Sequence, residues 1–332
     1  MKKTLSVPLA LAGLFVLSAA RCGATTITEN FSADPLQNGW RIFGDTNLFQ
    51  WSSANQNLAV TWDSSQTNSY FYHKLGTVLT RYDDFSMSFD LRLHDIGKGP
   101  DPIKTNSFEV AIGFLNLGEA TQTNYLRGTG DNSPDMVEFD YFWDNGYGAT
   151  VWPAFVDMFS DFNYNGSSDY AVFALTTDDW YHITMTYTAS NQTLVTTLTN
   201  FEQTSGVSIT QPVNDYFADY RVDTVSISSY SDAGQDPTYG EGSIIAHGTV
   251  GNFAVTVPPP PVQNLTGAFS NGVWQAQFTA PTNWIYTLQR TTDLQTWTDV
   301  SPKTTGNGTS LFLTDFDTPA GDAFYRVEAD RP

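Results

Sequence analysis

Carboxylate side chains recur at alternate positions in the middle of the chain. Glu138, Asp140 and Asp144 lie in the run 135–146, which is otherwise rich in large apolar residues. Successive side chains of a β-strand point to opposite faces, so the spacing predicts that these three carboxylates share one face with Phe142. Burying several charges together is costly unless a cation or another partner compensates them. The pattern therefore indicates a cation site, and a surface strand with solvated acids is the alternative.

The same run, 137–144, resembles the metal-site strand of the legume-type (L-type) lectins, whose pattern is V-E-F-D-T-F-x-N. The resemblance implies a transition metal held by Glu138 and a calcium ion beside it, with Asp140 bridging both ions. It implies further calcium ligands from the Phe142 carbonyl and the Asp144 side chain. Asp144 stands where the family has an Asn that also touches sugar, so the resemblance implies carbohydrate binding there.

Two ligands of that family pattern are missing from this chain. The family has another Asp about ten residues after the Glu and a His a few positions later. Here the corresponding segments, 148–150 and 152–154, read Gly-Ala-Thr and Trp-Pro-Ala. Carboxylate and carbonyl oxygens suit calcium, which is a hard cation. The residues that remain therefore favour calcium alone.

A second loop carries oxygen side chains at the first, third, fifth and ninth positions of a calcium-loop spacing: Asp161, Asn163, Asn165 and Asp169. Gly166 occupies the sixth position, where such loops turn sharply. Val172 stands where the terminal bidentate Glu belongs. The loop is thus a weak second candidate for a metal site, and an Asn/Gly-rich connection between strands is the alternative.

Aromatic residues flank the acidic strand. Trp143 alternates with the apolar residues and is predicted to be core. Tyr147 and Trp152 lie in a Gly-rich segment that reads as a turn, and they are the predicted sugar-contacting aromatics. Two polar loops, 125–134 and 230–242, are long enough to shape the rim of a pocket.

A catalytic alternative rests on the same strand. Glu138 and Asp140 match half of the E-x-D-x-(x)-E motif of retaining glucanases, enzymes of the same superfamily. The acid/base Glu of that motif is missing, because Phe142 and Trp143 occupy its positions. The first hypothesis is a secreted, non-catalytic protein that binds polysaccharide with the help of calcium, and a glycoside hydrolase or polysaccharide lyase that uses Glu138 and Asp140 is the second. A structural or adhesive cell-surface protein is the third.

Composition narrows the class of protein. The chain has 332 residues, of which 14% are aromatic and only 15% charged, and its formal net charge is −20. Such a surface repels nucleic acid and anionic membranes and attracts cations. Residues 1–24 read as a signal peptide with a basic start and an apolar centre, which predicts a secreted protein. Cys22 is the only cysteine and lies in that leader, so no disulfide is expected.

The remaining chain reads as short strands separated by polar turns, without a convincing helical period. Residues 25–257 are predicted to form a concanavalin A-like jelly-roll β-sandwich, and the run 180–183 resembles the W-Y-H-V strand of laminin-G-like relatives. Four prolines in 258–262 predict an extended linker. Residues 263–332 are predicted to be a small fibronectin III-like β-module. The clearest predicted strands are 69–75, 85–93, 107–115, 136–142, 170–175, 180–189, 193–199, 222–228 and 251–257.

Overall fold

The computed structural model describes residues 24–103, 109–123, 135–143, 148–157, 169–213, 215, 218–231 and 242–332. The predicted leader, 1–24, lies outside this part of the chain except for its last residue. The described chain divides into two compact units, Ala24–Pro260 and Pro261–Pro332. None of the helices in the described ranges has the length and apolar character that crossing a membrane requires.

Strands make up most of the first unit. They are β1 Thr25–Glu29, β2 Arg41–Phe43, β3 Phe49–Ser52, β4 Asn57–Asp63, β5 Ser69–Leu79, β6 Phe85–Lys98, β7 Glu109–Leu115, β8 Met136–Phe142, β9 Thr150–Val156, β10 Ala171–Val172, β11 Trp180–Thr188, β12 Thr193–Asn200, β13 Gly206–Pro212, β14 Val222–Ser229 and β15 Ile244–Val257. The short helix α1 spans Leu117–Ala120, and two 3₁₀ helices span Pro35–Asn38 and Thr46–Leu48.

These strands form two antiparallel sheets. One has the order β13-β12-β11-β6-β15-β4-β3, with β1 paired to β15, and the other has the order β10-β9-β8-β7-β14-β5-β2. The inner faces of the two sheets share a core in which the rings of Phe89, on β6, and Phe139, on β8, meet with centroids 5.7 Å apart. The predicted all-β sandwich is thereby confirmed.

Strict alternation explains why strands such as β11 were readable in the sequence. Its residues alternate between buried and more exposed positions along the whole strand, as a half-buried strand requires. Three expectations were less accurate. The strand predicted at 170–175 is only Ala171–Val172, the one predicted at 251–257 begins at Ile244, and the segment predicted as a turn around Trp152 belongs to β9.

The second unit contains two small sheets. Its strands are β16 Gln263–Ser270, β17 Val273–Ala280, β18 Ile285–Thr291, β19 Thr298–Asp299, β20 Thr304–Thr305, β21 Thr309–Asp315 and β22 Phe324–Asp330. The sheets have the orders β16-β17-β21 and β19-β18-β20, with β22 paired to β18. Phe278 and Tyr286 join them through an edge-on ring contact at 5.0 Å. The all-β prediction holds here too, and the fibronectin III-like assignment stays a prediction.

Buried tyrosines in the first unit predict sensitivity to alkali. Burial raises the pKa of Tyr187 to about 12, although the hydrogen bond with Tyr220 lowers it. A pKa raised by folding contributes stability that is complete below the unfolded-state value, about 10, and is lost as pH rises through 12. We expect the free energy of unfolding to fall over this window and to fall less steeply in Tyr187→Phe. Urea titrations at several alkaline pH values measure how steeply the free energy of unfolding falls with pH in the wild type and in the variant. Identical slopes contradict the prediction.

Candidate functional site

Both faces of β8 are buried, including the one that carries the carboxylates. Val137, Phe139 and Tyr141 point into the core between the sheets, and Trp143 packs against it as predicted. Glu138 and Asp140 point to the outer face of the seven-stranded sheet, and each side chain is 0% exposed. The two predicted site carboxylates therefore do share a face, and that face is enclosed instead of lying open to solvent.

Small residues on the neighbouring strands make room for these carboxylates. Glu138 lies between Gly113 of β7 and Ala154 of β9, its two cross-strand partners. A Cβ atom at Gly113 would lie 2.5 Å from the Cα of Glu138 and 2.9 Å from its Cγ. Only glycine permits this close approach, which is a common reason for glycine inside a strand.

Two tyrosines surround the Glu138 carboxylate. The hydroxyl of Tyr230 donates a hydrogen bond of 2.6 Å to Glu138 Oε1, and the carboxylate charge strengthens such a bond. The ring of Tyr70 lies edge-on to that of Tyr230 at 5.9 Å, and its hydroxyl donates to the Ala120 carbonyl. Burial, and then the negative charge of Glu138, raise the pKa of Tyr70 well above its ordinary value. Tyr70 therefore stays neutral beside the carboxylate.

The strand next to β8 offers no further ligand directly opposite the two carboxylates. Ala154 and Trp152 of β9 lie opposite Glu138 and Asp140, and neither side chain is a metal ligand. No transition-metal ligand therefore stands directly opposite either carboxylate on β9. The carboxylates of Glu138 and Asp140 are hard oxygen donors and fit calcium.

Two further calcium ligands were predicted after these carboxylates. Phe142 is the last residue of β8, and Asp144 lies outside the described residues. Among the residues that the structure describes, no three His, Cys, Asp or Glu side chains cluster closely enough to hold a metal ion. A calcium site at this strand end therefore depends on the Phe142 carbonyl and on Asp144 in addition to the buried pair.

The second predicted metal loop falls almost wholly outside the described chain. Asp161, Asn163 and Asn165 lie in 158–168, which is not described, and only Asp169 is placed. Tyr147, one of the predicted sugar-contacting aromatics, also lies outside the described residues, as do most residues of the two loops predicted to form a rim.

Trp152 lies in a strand and not in a turn, which changes its relation to the acidic residues. As the cross-strand partner of Asp140, it projects from the same outer face. Its ring contacts that of Phe142 at 5.9 Å and that of Tyr170 at 5.4 Å. Tyr170 is 47% exposed and Trp152 is partly exposed. An accessible aromatic pair, Trp152 and Tyr170, therefore adjoins the buried carboxylates.

Three of the four histidines pair with aspartates. Their Nδ1 atoms lie 2.7–2.8 Å from carboxylate oxygens in the pairs His94–Asp178, His182–Asp90 and His247–Asp95. The hydrogen bond with His94, and then the charge of Arg92, lower the pKa of Asp178. All three histidines lie on strands of the eight-stranded sheet, away from Glu138.

Four residues of this face were not singled out in the sequence: Tyr70, Gly113, Tyr170 and Tyr230. Gly113 did carry a signal, because a lone glycine inside an apolar strand indicates a close backbone approach. The tyrosines carried none, since their role depends on strands far apart in sequence. Tyr230 lies 92 residues after Glu138.

Comparison with known proteins gives structural neighbours only: no family model and no curated protein matches this chain. The peanut lectin solved with a 9mer peptide is 18% identical, with a TM-score of 0.44, and the match covers 71% of this chain and 100% of the lectin. Lectin II from Ulex europaeus is 14% identical, with a TM-score of 0.48 and the same coverage. The alginate lyase Aly36B is 13% identical, with a TM-score of 0.43, covering 69% of this chain and 96% of the lyase.

Proposed function

We propose that this protein is a secreted, non-catalytic carbohydrate-binding protein that holds a polysaccharide or glycan on the outer face of its seven-stranded sheet. The observation that carries the proposal is the juxtaposition of the Trp152–Tyr170 aromatic pair with the buried carboxylates of Glu138 and Asp140. Secretion rests on the leader predicted at residues 1–24.

The aromatic pair suits the apolar side of a sugar. A pyranose ring presents C–H groups on its faces and hydroxyls around its edge. Aromatic rings offer a large, rigid apolar surface on which such a face can pack. A few well-placed polar groups beside that surface then fix the orientation of the ligand. Trp152 and Tyr170 provide the surface, and Asp144 and Tyr147 follow β8 in the adjoining segment.

Calcium is proposed to assist this site. Its ligands would be the carboxylates of Glu138, Asp140 and Asp144 and the carbonyl of Phe142. When bound, the ion neutralises buried negative charge and fixes the backbone that follows β8. Because Glu138 already accepts a hydrogen bond from Tyr230, its carboxylate is held in place before any ion or sugar arrives.

The burial of both carboxylates favours binding over catalysis. A general acid or nucleophile must come within hydrogen-bond or bonding distance of the glycosidic bond. Glu138 and Asp140 are each 0% exposed, so a polysaccharide lying on the surface does not reach them. The same burial suits residues that hold an ion beneath a binding surface.

A hydrolase or lyase is the second candidate, and one contact favours it. The Tyr230 hydroxyl and the Glu138 carboxylate lie 2.6 Å apart, a pair able to exchange a proton. If opening of the face admits substrate, Glu138→Gln and Tyr230→Phe should abolish the release of reducing ends or unsaturated sugars from a polysaccharide panel. Wild-type protein that releases neither product from any member of the panel contradicts this second candidate.

Removal of the exposed Tyr170 ring tests the binding function. We expect Tyr170→Ala to weaken polysaccharide binding about three- to tenfold, since an aromatic contact is worth ~0.5–1.5 kcal/mol. Affinity electrophoresis against a panel of soluble neutral and acidic polysaccharides measures the change. Tyr82, which is 59% exposed, provides the control variant Tyr82→Ala. Equal losses in the two variants, or no retardation of the wild type by any polysaccharide, would contradict the proposal.

A further inference from the structure

A pocket lies on the other side of the sandwich from Glu138, on the outer face of the eight-stranded sheet. Its volume is about 160 Å³. It is lined by the turn between β3 and β4, by Asp90 of β6, by Gly251 and Asn252 of β15, and by two aromatic residues. None of its lining residues belongs to the site around Glu138.

One wall of this pocket is aromatic. Trp180, the first residue of β11, and Phe201, just after β12, stack with ring centroids 5.9 Å apart and planes 26° from parallel. A backbone hydrogen bond of 3.0 Å from Phe201 N to the Trp180 carbonyl fixes the spacing of the pair. Phe201 is nevertheless 54% exposed. A large apolar ring held at a pocket mouth, without being buried in the core, offers a surface for a ligand.

The floor of the pocket is a carboxylate held by two donors. Asp90 is only 5% exposed, and its Oδ1 lies 2.7 Å from His182 Nδ1. Its Oδ2 accepts a hydrogen bond of 2.6 Å from the Asn252 side chain. An ionised carboxylate has about four acceptor positions, so these two contacts leave it capacity to accept from a ligand hydroxyl. The Asp90 carboxylate is therefore held in place and can still accept a hydrogen bond from a ligand.

Amide side chains complete the lining. Asn55 and Gln56 come from the turn between β3 and β4, Asn57 is the first residue of β4, and Asn252 lies in β15. Gln56 and Asn252 have φ values of 51° and 45°, in the left-handed region that glycine adopts most easily. Asn tolerates this region better than most residues, whereas Gln gains no such tolerance. Both positions therefore carry amide side chains where glycine would adopt the backbone conformation more easily.

We propose that this pocket binds a single neutral sugar residue. The stacked rings match the C–H face of a pyranose, while the amides and Asp90 match its hydroxyls, which both donate and accept hydrogen bonds. Pockets for drug-sized ligands span about 300–1,000 Å³, so this smaller pocket admits one ring. The Asp90 carboxylate and the formal charge of −20 disfavour uronic acids and other anionic sugars. The assignment does not depend on the metal-assisted site of the opposite sheet.

Calorimetric titration of the full chain with glucose, galactose, mannose, N-acetylglucosamine and glucuronate tests the assignment. We expect at least one neutral sugar to bind and glucuronate to bind about tenfold more weakly or not at all. Phe201→Ala and Asp90→Asn should each weaken neutral-sugar binding about tenfold, which corresponds to ~1.4 kcal/mol, because each removes a ligand contact. Phe201 is largely exposed, so its variant keeps the fold even if Asp90→Asn proves unstable.

The variant Tyr170→Ala separates the two sites. Neutral-sugar binding that survives Tyr170→Ala and disappears in Phe201→Ala supports the pocket, whatever becomes of the proposed function. Binding that disappears in Tyr170→Ala and survives in Phe201→Ala overturns the pocket and leaves the proposed function standing. The pocket assignment is also overturned if none of the four neutral sugars binds at tens of millimolar, or if glucuronate binds more tightly than they do.

Discussion

Calcium at about 100 times its dissociation constant is expected to raise the free energy of unfolding of the wild-type chain by about 2.7 kcal/mol, because an ion that binds only the native state stabilises it by mass action. For a unit of this size, ~1 kcal/mol corresponds to about 2–4 °C in melting temperature, so a rise of roughly 5–10 °C should follow. Calcium titrations followed by thermal unfolding, with a chelator as the reference state, measure this shift.

The variant Asp140→Asn is expected to lose most of this shift. It preserves the shape of the side chain and removes a charged ligand oxygen from the buried face. Asp90→Asn is the matched control, since Asp90 is also buried but lies on the other sheet, where His182 and Asn252 hold it. An equal calcium shift in Asp140→Asn and the wild type rules out Asp140 as a ligand.

Absence of any calcium shift in the wild type has a different consequence. It removes the metal from the proposal and leaves the aromatic pair to be judged by polysaccharide binding alone. If that binding is also absent, the structural or adhesive hypothesis is favoured, and the tight packing around Glu138 serves only to stabilise the fold. The two measurements together therefore distinguish the carbohydrate-binding function from the structural or adhesive one, and product release from the polysaccharide panel tests the enzyme.

Alternation along β8 was enough to assign its faces, because a period of two is a local property of the strand. It predicted correctly that Trp143 packs on the core and that Glu138 and Asp140 share a face. It did not predict that this second face is buried as well. That burial depends on Gly113, on Ala154 and on Tyr230, which lies 92 residues from Glu138. The sequence of one strand does not indicate which distant residues will pack on it.

The segment around Trp152 was predicted as a turn because it is rich in glycine, and in the structure it belongs to β9, which also contains a proline. A proline inside a strand usually argues against a central position, and Pro153 stands in the middle of this one. In the structure β10 spans only Ala171–Val172 and pairs with Val151 and Thr150, so it ends before Pro153. Among the described strands, β9 has no partner on that side at Pro153, which is the kind of edge position where proline is tolerated. The pocket at Asp90 could not be predicted from the sequence either, because Asn252, which donates a hydrogen bond to Asp90, follows it by 162 residues.

Substitution of Gly113 by alanine is expected to destabilise the first unit by about 3 kcal/mol, since overpacking a well-packed interior costs roughly 1–3 kcal/mol and here the obstacle is backbone. The added Cβ would lie 2.5 Å from the Cα of Glu138 and would also meet the Val137 carbonyl. Both belong to β8, which is paired on both sides and cannot shift without disturbing β7 and β9.

Gly97→Ala is the matched control for this substitution. Gly97 also lies in a strand, β6, but a Cβ there meets nothing within 4 Å, so its variant should stay within about 0.5 kcal/mol of the wild type. Urea unfolding of both variants gives the comparison, and similar stabilities would refute the close-packing argument. If calcium uses Glu138, Gly113→Ala should also reduce the calcium shift, because the added methyl displaces the Cγ that carries the carboxylate. A loss of stability with an unchanged calcium shift would show that Glu138 supports the fold without holding the ion.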